Sequence, residues 1–132
     1  MSKLGTLKSN LWKVFSLYIR LRDADQWGYC ECITCGKRHH YKDIDAGHFI
    51  PKSRGLSIYF MEENVNAQCR YCNSFLHGNQ YLYSKAVDAK YGNGTSDRIY
   101  KKSRKFKQYT TQEYQKLIDN YKNQIKFYEF KI

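Results

Sequence analysis

No stretch of this chain is apolar for long enough to cross a bilayer, so a transmembrane helix is excluded as its organising element. Lys3, Lys8 and Lys13 interrupt the segment 1–17, so the unbroken apolar core of a secretory signal is missing as well. Internal repeats and low-complexity linkers are also lacking, which argues against a stacked-repeat architecture and against a string of tethered modules. Proline occurs once, at Pro51. Acidic side chains are the scarce charge: 12 Asp and Glu stand against 23 Lys and Arg, a net charge of +11. Such a field favours a polyanionic partner, through steering and through release of counterions from phosphate. An anionic membrane or plain solubility would use the same charge, but nucleic acid is the favoured reading.

What is present fits one domain over 1–132 with a modest core. Aromatic residues are 17% of the chain and 13 of them are tyrosines, so some must build that core while others could stack on unpaired bases. Without a secretory signal the expected location is the cytoplasm, where thiols stay reduced and paired cysteines hold metal more often than each other.

Residues 7–24 read as a helix, with Leu11, Val14, Phe15, Tyr18 and Leu21 on one apolar stripe and Lys13, Arg20 and Arg22 turned to solvent. Residues 29–32 and 44–50 have the look of strands, the second ended by Pro51. A basic turn follows at 52–55, and 56–60 is the clearest further strand, being short and rich in β-forming side chains. Helical pattern resumes after Cys69, breaks at Gly78, and continues over 80–91 to Gly92-Asn93-Gly94. The last helix opens with Thr110 and Glu113 at capping-box spacing and carries Tyr114, Leu117, Tyr121, Ile125 and Tyr128 on its apolar side. The expected class is α+β with helix dominant. A stapled hairpin-and-helix core over 28–79 is clasped by an N-terminal helix and by C-terminal helices over 80–130. Whether the terminal stripes pack on each other or on a second copy is left open by the pattern.

The staple is a pair of Cys-x-x-Cys turns, Cys32/Cys35 and Cys69/Cys72. Four thiolates on two tight turns suit a tetrahedral structural zinc, and Gly36 lets the first turn close. The interval between the pairs is longer than in common zinc ribbons, so a structured insertion must hang between them. Cys30 reads as a small buried residue outside the site. His39 and His40 read as a solvated loop.

That insertion and the residues just after Cys72 carry the candidate chemistry. Hydrolysis of a phosphodiester needs a base for water and a Lewis acid for the phosphate; histidine suits the first and oxygen-rich ligands for Mg²⁺ or Mn²⁺ suit the second. His48 is the candidate base, and Asn64 and Asn73 are the candidate amides. Asp45 and His77 are candidates to share the ion with Asn73, His77 because on a helix it would lie on the face of Asn73. Asn66 reads as an Asx turn and Asn79 as a helix cap. Lys52, Arg54, Arg98, Lys101, Lys102, Arg104, Lys105 and Lys107 are candidate phosphate contacts.

Three segments, Asp45-Ala46-Gly47-His48-Phe49-Ile50-Pro51, the run from Glu63 to Asn73, and Gly78-Asn79, resemble the bacteriophage NinG/Rap recombination proteins. More distantly they resemble phage endonuclease VII and other zinc-stapled His-Asn-His (HNH) nucleases. The similarity covers about residues 11–92. It implies the ββα-metal fold, a phage-encoded protein working in a bacterial cell, and cleavage of branched DNA such as Holliday junctions and D-loops to leave 5′ phosphate. It implies His48 as general base, Asn64 as a brace for His48 and Asn73 as an ion ligand. Symmetric junctions need paired incisions, so a homodimer is an expected partner. The chain departs from that pattern at Gly47, where many such enzymes place an acidic or histidine ligand, and at His77, where many place an acid. A non-catalytic zinc-stabilised DNA-binding module, or an HNH nuclease acting on linear duplex, are the alternatives.

Overall fold

A computed structural model describes residues 2–132. Helix α1 spans Lys3–Asp23, starting earlier than the apolar pattern because the Ser2 hydroxyl accepts the Gly5 amide at 3.0 Å and caps it. It buries Leu11, Phe15, Tyr18, Ile19 and Leu21. Helix α5, Thr111–Lys126, opens on the expected capping box: Thr110 Oγ1 accepts from the Glu113 amide and Glu113 returns the bond. The two helices pack on each other, with Tyr121 centred 5.0 Å from Phe15 and 4.9 Å from Tyr18. The terminal stripes are therefore consumed within one chain. Glu62 fastens the contact, its carboxylate accepting from the phenols of Tyr18 at 2.8 Å and Tyr121 at 3.1 Å.

Arg20 and Arg22 do not face solvent as the pattern suggested. Arg22 donates to the carbonyls of Glu62 and Val65, to Asn66 Oδ1 and to Asp23, while Arg20 donates to the carbonyls of Ser16 and Tyr41. The face of α1 that looks polar in sequence lies against backbone carbonyls of other segments, those of Tyr41, Glu62 and Val65, and those acceptors need donors.

Two small antiparallel hairpins lie against α1. Strands β1 (Tyr29–Glu31) and β2 (Arg38–His40) pair with Cys30 opposite His39, so the histidines expected in a loop stand on a strand. Strands β3 (Asp45–His48) and β4 (Val65–Gln68) pair with Asp45 opposite Gln68 and His48 opposite Val65. The strand expected at 56–60 is instead helix α2, Leu56–Tyr59. Its apolar side chains find burial without a partner strand, Ile58 beside Phe49, Tyr83, Val87 and Ile99, and Phe60 beside Phe15. The partner of β3 is a segment with two amides in four residues, and all four are buried.

After Cys69 the chain makes one π-helical turn, Tyr71–Phe75, then α3 (Gln80–Tyr91) and α4 (Thr95–Ser103). Gly78 at φ +92° and Gly92 at φ +117° make the turns between them, conformations in which a side chain would be strained. The architecture is helix-rich α+β with the two hairpins at its centre. No helix among the described residues is long and apolar enough to cross a membrane.

Candidate functional site

The first centre is sulfur. The thiol atoms of Cys32, Cys35, Cys69 and Cys72 all lie within 4.8 Å of one another, and Cys35 and Cys69 approach to 3.7 Å. Zinc–sulfur bonds of about 2.3 Å in a tetrahedron place sulfurs roughly 3.8 Å apart, so the donor set fits a structural zinc ion. None of the five cysteines is in a disulfide. Gly36, at φ +80°, donates its amide to the Cys32 carbonyl at 2.9 Å and closes the first turn. The Cys72 amide reaches Cys69 Sγ at 3.5 Å and Asn79 Nδ2 reaches Cys72 Sγ at 3.8 Å, so donors face the sulfur charge. Asn79 sits at the N-cap of α3, but its side chain serves the sulfur and not the helix. Cys30 stands outside the cluster, fully buried, donating to the Arg20 carbonyl at 3.1 Å. Burial pushes its thiol up to about 12, which keeps it protonated.

The second centre is a cleft of about 560 Å³ beside that cluster. Asp45, His48, Lys52, Asn73 and His77 all line it. His48 Nε2 lies 2.9 Å from the Tyr59 carbonyl oxygen. A carbonyl can only accept, so Nε2 carries the hydrogen and Nδ1 keeps its lone pair. Burial holds the ring well below the usual histidine value, at about 4, with the Tyr59 bond opposing that shift and Lys52 adding to it. The imidazole is therefore neutral at pH 7. Trp12 stacks on it at 5.1 Å and Tyr59 meets it edge-on at 5.1 Å, fixing the ring plane. Neither contact was legible in sequence, because both rings come from elements whose packing only the fold reveals.

Asn64 is fully buried and does not line the cleft. Its Oδ1 accepts the Ile50 amide at 2.8 Å, and its Nδ2 donates to the carbonyls of Ile50 at 3.1 Å and Ile58 at 3.0 Å. The end of β3 is thereby tied to α2, which bears the carbonyl that orients His48. Also lining the cleft, Asn73 Nδ2 donates to Asp45 Oδ2 at 3.2 Å, and Arg70 stands 3.7 Å from the second oxygen of that carboxylate. The Asn73 amide bonds the Cys69 carbonyl at 2.9 Å, so the second cysteine turn positions Asn73. His77 reaches the cleft by a different route from the one expected. The turn at Asn73 is π-helical and His77 follows it at φ +52°, so no common helix face aligns them.

Asp45 is the sole carboxylate in the lining, against Arg20, Lys42, Lys52 and Arg70. Of these only Lys52 had a sequence signal, the basic turn beside Pro51. The outlying basic residues are scattered. Arg54, Lys101, Lys102 and Lys105 are exposed, Arg98 is paired with Glu63 at 2.7 Å, Arg104 donates to the Tyr100 hydroxyl, and Lys107 stands 4.0 Å from Glu113. None from Arg98 to Lys107 lines the cleft.

Asn66 makes no Asx turn. It is fully buried on β4, its Oδ1 accepting from Arg22, from Lys90 at 2.8 Å and from Tyr91 at 2.6 Å, and its Nδ2 donating to the Glu63 carbonyl and to Tyr83. Tyr83 in turn donates to the Gly47 carbonyl at 2.6 Å. Asp23 completes the knot, bonded by Arg22, Lys90 and the Ala67 amide, and these partners hold its carboxyl below the usual range against the effect of burial.

Fold and site define a small helix-rich protein stapled by a four-cysteine metal cluster, with a basic cleft that brings together an imidazole, an amide and a carboxylate. The family model for the bacteriophage lambda NinG protein matches residues 1–130, and the chain belongs to that family. No curated protein and no solved structure matches it.

Proposed function

We propose that this phage recombination protein is a divalent-metal-dependent DNA endonuclease of the HNH, ββα-metal type, acting on branched recombination intermediates. The observation that carries this reading is His48, a neutral imidazole with Nε2 tied to a carbonyl and Nδ1 free, in a cleft that Asp45 and Asn73 also line. The hairpin β3–β4 followed by the turn at Tyr71–Phe75 supplies the ββα order, with a π-helical turn in the helix position.

His48 Nδ1 takes a proton from water, and the water oxygen attacks phosphorus as the bond to the 3′ oxygen breaks, leaving a 5′ phosphate. Asn64 keeps the base in place by fastening both the strand that bears it and the segment that orients it. Asp45 and Asn73 offer hard oxygen donors for Mg²⁺ or Mn²⁺, and Asp45 is the nearer companion of Asn73 because their side chains already touch. Such an ion supplies Lewis-acid stabilisation of the phosphate charge when bound. Arg20, Lys42, Lys52 and Arg70 draw the backbone in, and the remaining exposed basic residues extend the attraction outward. A symmetric junction calls for two copies of the chain, joined on a surface other than the α1–α5 stripes.

The test is cleavage of a four-way junction and a matched duplex with Mg²⁺ or Mn²⁺, by the zinc-loaded wild type and by His48→Ala. Junction cleavage lost in the variant is the expected result. Equal cleavage by both proteins would sink the role of His48, and binding without cleavage under either ion would leave a non-catalytic DNA-binding module. Equal cutting of both substrates would reassign the protein to linear duplex.

A further inference from the structure

Gln68 is fully buried on β4, directly opposite Asp45 and so on the same face of the hairpin. Its Nε2 donates to the Gly78 carbonyl at 2.8 Å and to Thr34 Oγ1 at 3.3 Å. The carbonyl needs a donor, which fixes the amide with Oε1 pointing the other way. That oxygen has no hydrogen-bond partner. It lies against Gly47, where an added Cβ would clash with it and would also stand 3.1 Å from Asn73 Oδ1. Asn73 is fixed in the same manner, since its Nδ2 is given to the Asp45 carboxylate. Two amide oxygens thus converge on the bare backbone of Gly47 with no donor between them, beside a carboxylate. Leaving a buried acceptor unpaired is unfavourable, and a cation is the partner that several acceptors can share.

We propose that Gln68 Oε1 is a further ligand for the divalent ion of the cleft, supplied from β4 at the place where Gly47 leaves β3 without a side chain. This rests on the ion site assigned above to Asp45 and Asn73. It also gives Gly47 a reason: any side chain there would displace the Gln68 amide. Gln68 does not line the cleft itself but stands behind Asn73, a residue that does, and it also reaches Thr34, whose hydroxyl lies 3.3 Å from Cys32 Sγ.

The experiment is Mn²⁺ binding to the zinc-loaded chain, read by the electron paramagnetic resonance signal of free Mn²⁺, with zinc content measured for each variant. The wild type should bind one Mn²⁺ beyond its zinc. Gln68→Met, which keeps the volume and removes the oxygen, should bind about tenfold more weakly. Gln68→Glu, which keeps an oxygen and adds charge, should bind at least as tightly as the wild type and gain more in melting temperature on adding Mn²⁺. Wild-type affinity in Gln68→Met, alongside weakened binding in Asn73→Ala, would overturn the role of Gln68 and leave the cleft site standing. Absence of Mn²⁺ binding by the wild type would overturn the ion site and this ligand together. Should Gln68→Met lose its zinc, Gln68→Glu decides, and binding weaker than wild type would overturn the proposal.

Discussion

The two hairpins of this protein are alike in size and direction but are held by unlike means. The β1–β2 hairpin carries the first cysteine turn at its tip, and four sulfurs join it to the turn after β4. The β3–β4 hairpin is held by side-chain amides: Asn64 ties its base to α2, Asn66 collects donors from α1 and α3, and Gln68 reaches Gly78. A sulfur staple uses four residues of one kind and tolerates most neighbours. An amide network needs each partner at hydrogen-bond distance, and every partner it loses leaves a buried group unsatisfied. The sulfur-held half is specified by four residues; the amide-held half depends on the whole fold.

The sharpest way to break the comparison is to remove the metal. Chelation, or Cys69→Ser, should abolish the cooperative unfolding transition of the β1–β2 half, because free energy of binding at a structural zinc is largely free energy of folding. Circular dichroism against chelator concentration reads it. An unchanged transition would mean that the sulfurs do not carry this half.

Next in size is His48→Gln, which keeps a donor for the Tyr59 carbonyl but provides no base. Junction cleavage should fall by about 10²–10⁴-fold with little change in melting temperature. Within the amide-held half, Asn66→Ala should cost about 3 kcal/mol, since Arg22, Lys90 and Tyr91 lose a shared acceptor beside a buried carboxylate. Urea denaturation measures this, and a loss well below 1 kcal/mol would show that the network relaxes freely.

A pH test follows from the ring of His48, which is lowered from 6.5 to about 4. Between those values the unfolded chain binds the extra proton, so stability is full above the upper value and is lost as pH falls toward the lower. The loss is about 3 kcal/mol at most, and His48→Gln should remove it from a comparison of urea midpoints. With His48 as the proposed base, cleavage should stay insensitive to acid until well below pH 6. A cleavage rate that halves near pH 6.5 would contradict the assignment. The smallest effect separates two basic residues: Lys52→Ala should weaken binding to DNA and flatten its salt dependence more than Arg98→Ala, whose guanidinium is already paired with Glu63.

Much of the frame was legible from residues alone. The cysteine spacing marked the metal cluster, the capping box marked the start of α5, and Gly92 marked the end of α3, because each is a local rule with a nearby partner. Residues 56–60 carry a strand pattern but form a helical turn, and β4 carries no strand pattern, since apolar content there tracks burial and not pairing. Asn66 has the local pattern of a turn because its partners Arg22, Lys90 and Tyr91 belong to distant helices. His48, Asn73, Asp45 and His77 were picked out by their residue types and order, but the cleft that brings them together was not.

Taken by itself, then, the order of residues determined the helix-rich class, the sulfur staple, the basic character and the residue types available for chemistry. Tertiary structure alone decided which nitrogen of His48 is free, which carboxylate meets Asn73, and why Gly47 has no side chain. Those are matters of distance between groups far apart along the chain, and no local periodicity encodes such distances.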